Sequence, residues 1–265
     1  MNFLGAKMTI KNLYEMKAKG EKIVMITAYD ALFSKIFDEH VDMILLGDSL
    51  NMSFGGCDST IGLSVENMIY HAKAMRKAIK HAYFVVDMPF GSCATPKLAL
   101  KNCIKVYEQT GCDAIKIEGG SEMNETIKLL ANTGIAVMSH IGLKPQHARK
   151  EGGFFVKKDE EKILSDARVL ENSGANFLLI EGVISSIASK VASASNVPVI
   201  SIGAGSHTDG QVLVWSDMLG FFTNFKPKFV KRYLNGAQLV QNAVKEYAKD
   251  VRERKFPAKE HEYEL

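Results

Sequence analysis

MILLGDSL, residues 43–50, is an apolar run of strand length that ends in a carboxylate, Asp48, and then breaks into loop-forming residues. The pattern recurs as YFVVD ending at Asp87, AIKIE ending at Glu118 and NFLLIE ending at Glu181. Continuous Val/Ile/Leu runs mark parallel strands buried on both faces, and such sheets place their ligand sites at the strands' carboxyl ends. Further strands are expected near 22–28, 135–139 and 197–202, with a weak eighth near 219–223. Amphipathic stretches of helical length lie at 30–38, 64–80, 97–110, 122–133, 159–173, 184–195 and 209–217. A parallel crossover needs such a helix to return the chain to the same end. Seven or eight uninterrupted strand–helix units favour an α/β fold closed as a (β/α)8 barrel (a TIM barrel) over an open sheet.

The 265 residues, 46% of them apolar, suffice for one large core. A single barrel domain over 1–265 is therefore expected, with an N-terminal helical lead-in and a C-terminal helix plus tail. Past residue 226 the pattern turns helical and charged to about Lys255, and Pro257 stops it. The tail KFPAKEHEYEL reads as an exposed arm or one that packs on a partner. A net charge of +3 with scattered basic residues argues against a nucleic-acid partner. No apolar run approaches the ~18 residues of a membrane span, and the N-terminus lacks a signal-peptide core. Cys57, Cys93, Cys103 and Cys112 form no CxxC pair, so a cytoplasmic protein with reduced thiols is expected.

Carboxylates crowded at one end of a barrel repel unless protons or a cation separate them. The all-oxygen set of Asp48, Asp87 and Glu118 suits Mg²⁺, and the histidines lack zinc-site spacing. Lys116, two residues before Glu118, shares its face of the strand and needs a counter-charge, either Glu118 or an anionic substrate. Glu181, after FLLI, is a candidate general base whose apolar setting raises its pKa. His140, in SHIGL, is a second candidate acid or base. Two Gly-bearing loops complete the set. ISIGAGSHTDG (200–210) could cradle an anion, and KEGGFFVKK (150–158) has the make-up of a lid.

Read in order, TAYD (27–30), GDSL (47–50), DMPF (87–90), KIEGG (116–120), HIGLKPQ (140–146), Glu181, IGAG (202–205) and DGQ (209–211) resemble the ketopantoate hydroxymethyltransferase family. The resemblance runs over nearly the whole chain, down to FP and EH in the tail. It implies a barrel of the phosphoenolpyruvate/pyruvate type, assembled as a homodecamer of two stacked pentamers. It also implies Mg²⁺, the 2-oxoacid 3-methyl-2-oxobutanoate as substrate and 5,10-methylenetetrahydrofolate as one-carbon donor. Carried over by motif, Asp48, Asp87 and Glu118 would be metal ligands. Asp48, Ser49, Asp87 and Lys116 would contact the 2-oxoacid, and Glu181 would be the proton acceptor with His140 and Tyr29 nearby. The chain departs from the family pattern at 152–158 and 219–228. Two rival readings have clear signatures. A C–C lyase or mutase of the same superfamily would carry a KKCGH-type loop, which does not occur here, and a non-catalytic barrel would have lost one of the three acids.

Overall fold

A computed structural model describes residues 6–223 and 226–263, so the ends of the expected lead-in and tail, 1–5 and 264–265, lie outside the described residues. The chain divides into two units, one ending at Val214 and one running from Trp215. In the first, α1 (Ile10–Lys19) precedes β1 (Ile23–Thr27), α2 (Ala31–Phe37), β2 (Met43–Leu46), α3 (Leu50–Ser53), α4 (Val65–Ala78) and β3 (Tyr83–Asp87). Then come α5 (Pro96–Thr110), β4 (Ala114–Glu118), α6 (Asn124–Asn132), β5 (Val137–Gly142), α7 (Ala148–Glu151), α8 (Glu160–Asn172) and β6 (Phe177–Glu181). The unit closes with α9 (Ser185–Ala194), β7 (Val199–Ile202) and β8 (Gly210–Leu213). Each strand pairs with the next in parallel, and β8 pairs back onto β1 to give a closed eight-stranded barrel.

Local chemistry starts the helices where the sequence indicates. The Thr95 side chain accepts from the Leu98 N–H with Pro96 at the first turn of α5, and Ser64 caps α4 reciprocally with Asn67. The eighth strand is the correction. It lies at 210–213, inside the stretch read as a helix, and 219–223 forms no strand. Only four residues long, β8 buries Gly210 and Val212 and exposes Gln211, so it lacks the continuous apolar run of its neighbours. Gly210 faces Ile23 across the register, and a Cβ on it would collide with the Ile23 carbonyl and lie 2.6 Å from Ile200 Cδ1.

Period-2 alternation explains how this barrel positions a site. The inward row on the early part of each strand is apolar: Met25, Leu45, Val85, Ala114, Met138, Leu179 and Ile200 belong to one buried cluster. Two residues further along β3, β4, β5 and β6 the same row becomes Asp87, Lys116, His140 and Glu181. Register then sets the neighbours, because Asp87 stands beside Lys116 and Glu118 beside His140. The far end is sealed by α1, whose Leu13 is fully buried in that cluster, and Tyr14 packs edge-on against Phe177.

In the second unit, α10 (Trp215–Met218) is followed by α11 (Gly236–Arg252), so the helix expected from 226 begins ten residues later. Leu239, Val240, Val244, Tyr247 and Val251 recur at helical spacing on α11 and are all exposed. Tyr247 meets the Phe256 ring at 5.6 Å, and Phe256 in turn packs on His261 of the tail.

Gly210→Ala is expected to destabilise the barrel by about 1–3 kcal/mol, the usual effect of overpacking. Urea denaturation of the wild type and the variant side by side checks it.

Candidate active site

The ends of β2 to β6 bring the predicted acids together at the barrel mouth. Lys116 Nζ lies 2.5 Å from Asp87 Oδ2, with side chains only 5% and 1% exposed. The direct counter-charge of Lys116 is Asp87, not Glu118 of its own strand. Asp87 takes the place because register sets it directly beside the lysine, whereas Glu118 is two residues further on. The Asp48 main-chain N–H donates to the same Asp87 oxygen at 3.3 Å, tying β2 to β3. Asp87 Oδ1 is buried without a hydrogen-bond partner.

Burial pushes the Asp87 carboxyl up to about 7. Lys116 pulls the other way, and Asp48 adds to the rise. Burial alone would drive Lys116 toward neutrality, but the negative charges of Asp87, Asp48 and Glu118 outweigh it and hold the ammonium above its ordinary pKa. Glu118 is pushed up to about 9 by burial, relieved by Lys116 and reinforced by Asp48, Asp87 and Glu181. Glu181 rises to about 8, again by burial first, with Lys116 opposing and Asp48 and Asp87 reinforcing. It is also the most open of these groups toward the mouth, its side chain 21% exposed.

His140 sits between the two glutamates. Its Nε2 is 3.5 Å from Glu181 Oε2 and its Nδ1 is 3.7 Å from Glu118 Oε2, both too long for good hydrogen bonds. Burial, followed by the positive charge of Lys116, holds its pKa well below the ordinary value, so the imidazole is neutral. Ser49 and Tyr29 form a separate hydroxyl pair at 2.8 Å on the β1–β2 side, with His71 Nδ1 2.6 Å from the Tyr29 carbonyl.

Two residues that the sequence reading did not single out also enter the site. The Gln146 main-chain N–H donates to Glu118 Oε1 at 3.1 Å, and His147 Nδ1 lies 3.2 Å from the same oxygen. The Gln146 carboxamide donates to Asp48 Oδ2 at 2.8 Å. HIGLKPQ marked the segment, but no residue-type signal in it points to these contacts.

The loop at 200–210 turns inward on itself: Ser201 and Thr208 hydroxyls are 2.7 Å apart, and Gln211 Nε2 donates to the Gly205 carbonyl. In 150–158, Phe154, Phe155 and Val156 are exposed, while the Lys157 main-chain N–H donates to the Gly182 carbonyl next to Glu181.

As the side chains stand, no three His, Cys, Asp or Glu among the described residues converge closely enough to grip an ion. Asp48, Asp87 and Glu118 are turned instead to Gln146, Lys116 and His147. Their chemistry fits a hard divalent cation all the same: the charge of Asp48 helps raise the pKa of both Asp87 and Glu118, and the buried Asp87 Oδ1 has no partner. These residues are the ones that could hold it.

A closed parallel barrel with ionisable groups replacing apolar ones along the last inward row defines a (β/α)8-barrel enzyme. The family model for ketopantoate hydroxymethyltransferase matches residues 7–259. A 3-methyl-2-oxobutanoate hydroxymethyltransferase of Campylobacter fetus subsp. fetus (strain 82-40) is 62% identical over 261 residues, covering 97% of this chain and 98% of the relative. The enzyme of the same name from Helicobacter pylori (strain ATCC 700392 / 26695) is 51% identical, covering 95% and 94%. The chain belongs to the ketopantoate hydroxymethyltransferase family.

Among solved structures, a phosphonopyruvate hydrolase complex with oxalate and Mg⁺⁺ aligns with a TM-score of 0.62 at 14% identity, covering 96% of this chain and 93% of that one. A 2,3-dimethylmalate lyase of the PEP mutase/isocitrate lyase superfamily aligns at 0.59 and 13% identity, covering 94% and 89%. At that identity the likeness speaks for the barrel fold alone.

A pH dependence follows from the raised carboxyl pKa values. Asp87, Glu118 and Glu181 bind protons more tightly folded than unfolded, so the folded state is favoured at low pH and loses that advantage as pH rises through about 7 to 9. In chelator, the melting temperature is expected to fall between pH 6 and pH 9, and Glu118→Gln should flatten the slope. Scanning fluorimetry across that range checks both.

Proposed function

We propose that this enzyme transfers a hydroxymethyl group from 5,10-methylenetetrahydrofolate to 3-methyl-2-oxobutanoate with Mg²⁺ at the strand-end acids. The product is 2-dehydropantoate (ketopantoate), an intermediate on the way to pantothenate and coenzyme A. Ketopantoate formation itself is supported by the relatives of that name. The observation that carries the finer reading is the division at the barrel mouth: three acids gather around a lysine, and Glu181 stands apart across a neutral His140.

Asp48, Asp87 and Glu118 would hold the cation. When bound, it supplies positive charge that polarises the 2-oxoacid carbonyl and acidifies the adjacent C–H. Lys116 presents a permanently charged ammonium inside the barrel, suited to the substrate carboxylate or to the oxygen that gains charge as the enolate forms. Asp48, Ser49 and Asp87 would contact the 2-oxoacid alongside it. Glu181 is placed to take the proton from C3, and a carboxylate raised to about 8 is a strong enough base for the task near neutral pH. The resulting carbon nucleophile attacks the methylene carbon as one of its two C–N bonds to the folate opens. Water then supplies the hydroxyl as the second C–N bond breaks, and the proton from C3 and the remaining proton of the water go to the two folate nitrogens, leaving ketopantoate and tetrahydrofolate. His140, neutral and buried, separates Glu118 from Glu181 without carrying charge of its own. The exposed aromatic segment 154–156, anchored beside Glu181 through Lys157, is the part of the mouth suited to cover a bound substrate.

The assembly proposed is a homodecamer of two pentamers. The exposed apolar stripe on α11 supports association between copies. A cytoplasmic setting accords with four free thiols, and no helix among the described residues is long and apolar enough to cross a membrane.

One experiment tests the chemistry in two stages. With Mg²⁺ and 3-methyl-2-oxobutanoate in deuterated water, the C3 proton should exchange without folate, and added 5,10-methylenetetrahydrofolate should give ketopantoate. Glu181→Gln should slow exchange by about 10²–10⁴-fold. Exchange at the native rate in that variant would remove Glu181 from the role of base, and product formation without folate would refute the donor.

A further inference from the structure

Gln146 has no role in the reading above, yet it reaches three of the strand ends that build the site. It stands in the short turn Pro145–His147 after β5. Its carboxamide nitrogen donates to Asp48 Oδ2 at 2.8 Å, beyond β2, and to the Met88 carbonyl at 3.1 Å, beyond β3. Its main-chain N–H donates to Glu118 Oε1 at 3.1 Å, at the end of β4. A carbonyl can only accept, so the contact with Met88 requires that the amide nitrogen, not its oxygen, face this centre. Both hydrogens of the amide are then committed, one to an acid and one to the residue following another acid.

The choice of a neutral donor has consequences. A lysine or arginine here would satisfy Asp48 while adding a positive charge that competes with a bound cation. A carboxylate would repel Asp48 and the Met88 carbonyl. An amide occupies one oxygen of Asp48, fixes the plane of its carboxylate and leaves its negative charge undiminished. The Asp48 main chain is already tied to Asp87 Oδ2, so Asp48 is held at both its backbone and its side chain. Gln146 supplies the side-chain half of that hold, and with the same turn it fixes Glu118.

We propose that Gln146 is a positioning residue for the cation: it aims Asp48 and Glu118 from one turn and sets the strength of binding. The inference rests on the reading of Asp48, Asp87 and Glu118 as the ligands. Hydrogen-bond partners of ligating groups commonly govern metal affinity by about 10–100-fold.

Titration calorimetry of Mg²⁺ into the metal-free protein tests it, with wild type, Gln146→Met and Gln146→Asn. Methionine keeps the length of the side chain without its donors, and asparagine keeps the amide on a stem one carbon shorter. The Mg²⁺ dissociation constant is expected to rise by about 10–100-fold in Gln146→Met and in the same direction in Gln146→Asn. In turnover, the Mg²⁺ concentration for half-maximal rate should rise by the same factor while kcat recovers at saturating Mg²⁺. A packing role alone would lower kcat or thermal stability without moving the Mg²⁺ requirement. Wild-type affinity in Gln146→Met overturns the inference, and should that variant fail to fold, Gln146→Asn decides by the same criterion. A wild type that binds no Mg²⁺ is a different result: it overturns the ligand reading itself and the inference with it.

Discussion

An ammonium buried at the centre of a barrel stays charged only if an anion sits against it, and Asp87 at 2.5 Å from Lys116 is that anion. Two charges taken out of water lose several kcal/mol each in hydration, and removing one partner strands the other at a cost of about 3–5 kcal/mol. The arrangement therefore tolerates little error. Asp87 must stand directly beside Lys116, which the β3–β4 register guarantees, and the residues beneath must exclude water, which Val85, Ala114 and Met138 do. The other features of the mouth are built around this pair. Asp48 is tied to it through its main chain, and Glu118 and Glu181 have their pKa values set partly by it.

A shared inward row gives Asp87, Glu118 and Glu181 different surroundings and therefore different chemistry. Asp87 is fully enclosed and paired with a cation of the protein's own. Glu118 is enclosed and held by the turn after β5. Glu181 alone keeps an opening to the mouth, separated from Glu118 by an imidazole that stays neutral. A neutral spacer matters here. A charged imidazole would lower the pKa of both glutamates and weaken Glu181 in its proposed role of base, whereas the neutral ring lets burial and like charge keep it high.

Much of this was legible in the sequence, because strand-end residues announce themselves: an apolar run that ends in Asp, Glu or a Lys-x-Glu pair can only place those groups at the rim. Asp48, Asp87, Lys116, Glu118, His140 and Glu181 were found that way, as was the barrel. Loop contacts were not. Gln146 and His147 reach the acids through the path of a 3-10 turn, and that path has no period to read. The partner of Lys116 was also hidden, since it depends on register between two strands and not on spacing within one. β8 was misplaced because a four-residue strand starting at a glycine and exposing its second residue carries too few apolar side chains to stand out from a helix start.

The central claim is that the acids divide, with Asp48, Asp87 and Glu118 serving the cation and Glu181 serving the proton. Mg²⁺ binding to Asp48→Asn and to Glu181→Gln, each measured by calorimetry against the wild type, tests the division directly. Asp48→Asn is expected to lose Mg²⁺ binding while Glu181→Gln retains it. Equal loss in both variants, or undiminished binding in Asp48→Asn, would contradict it.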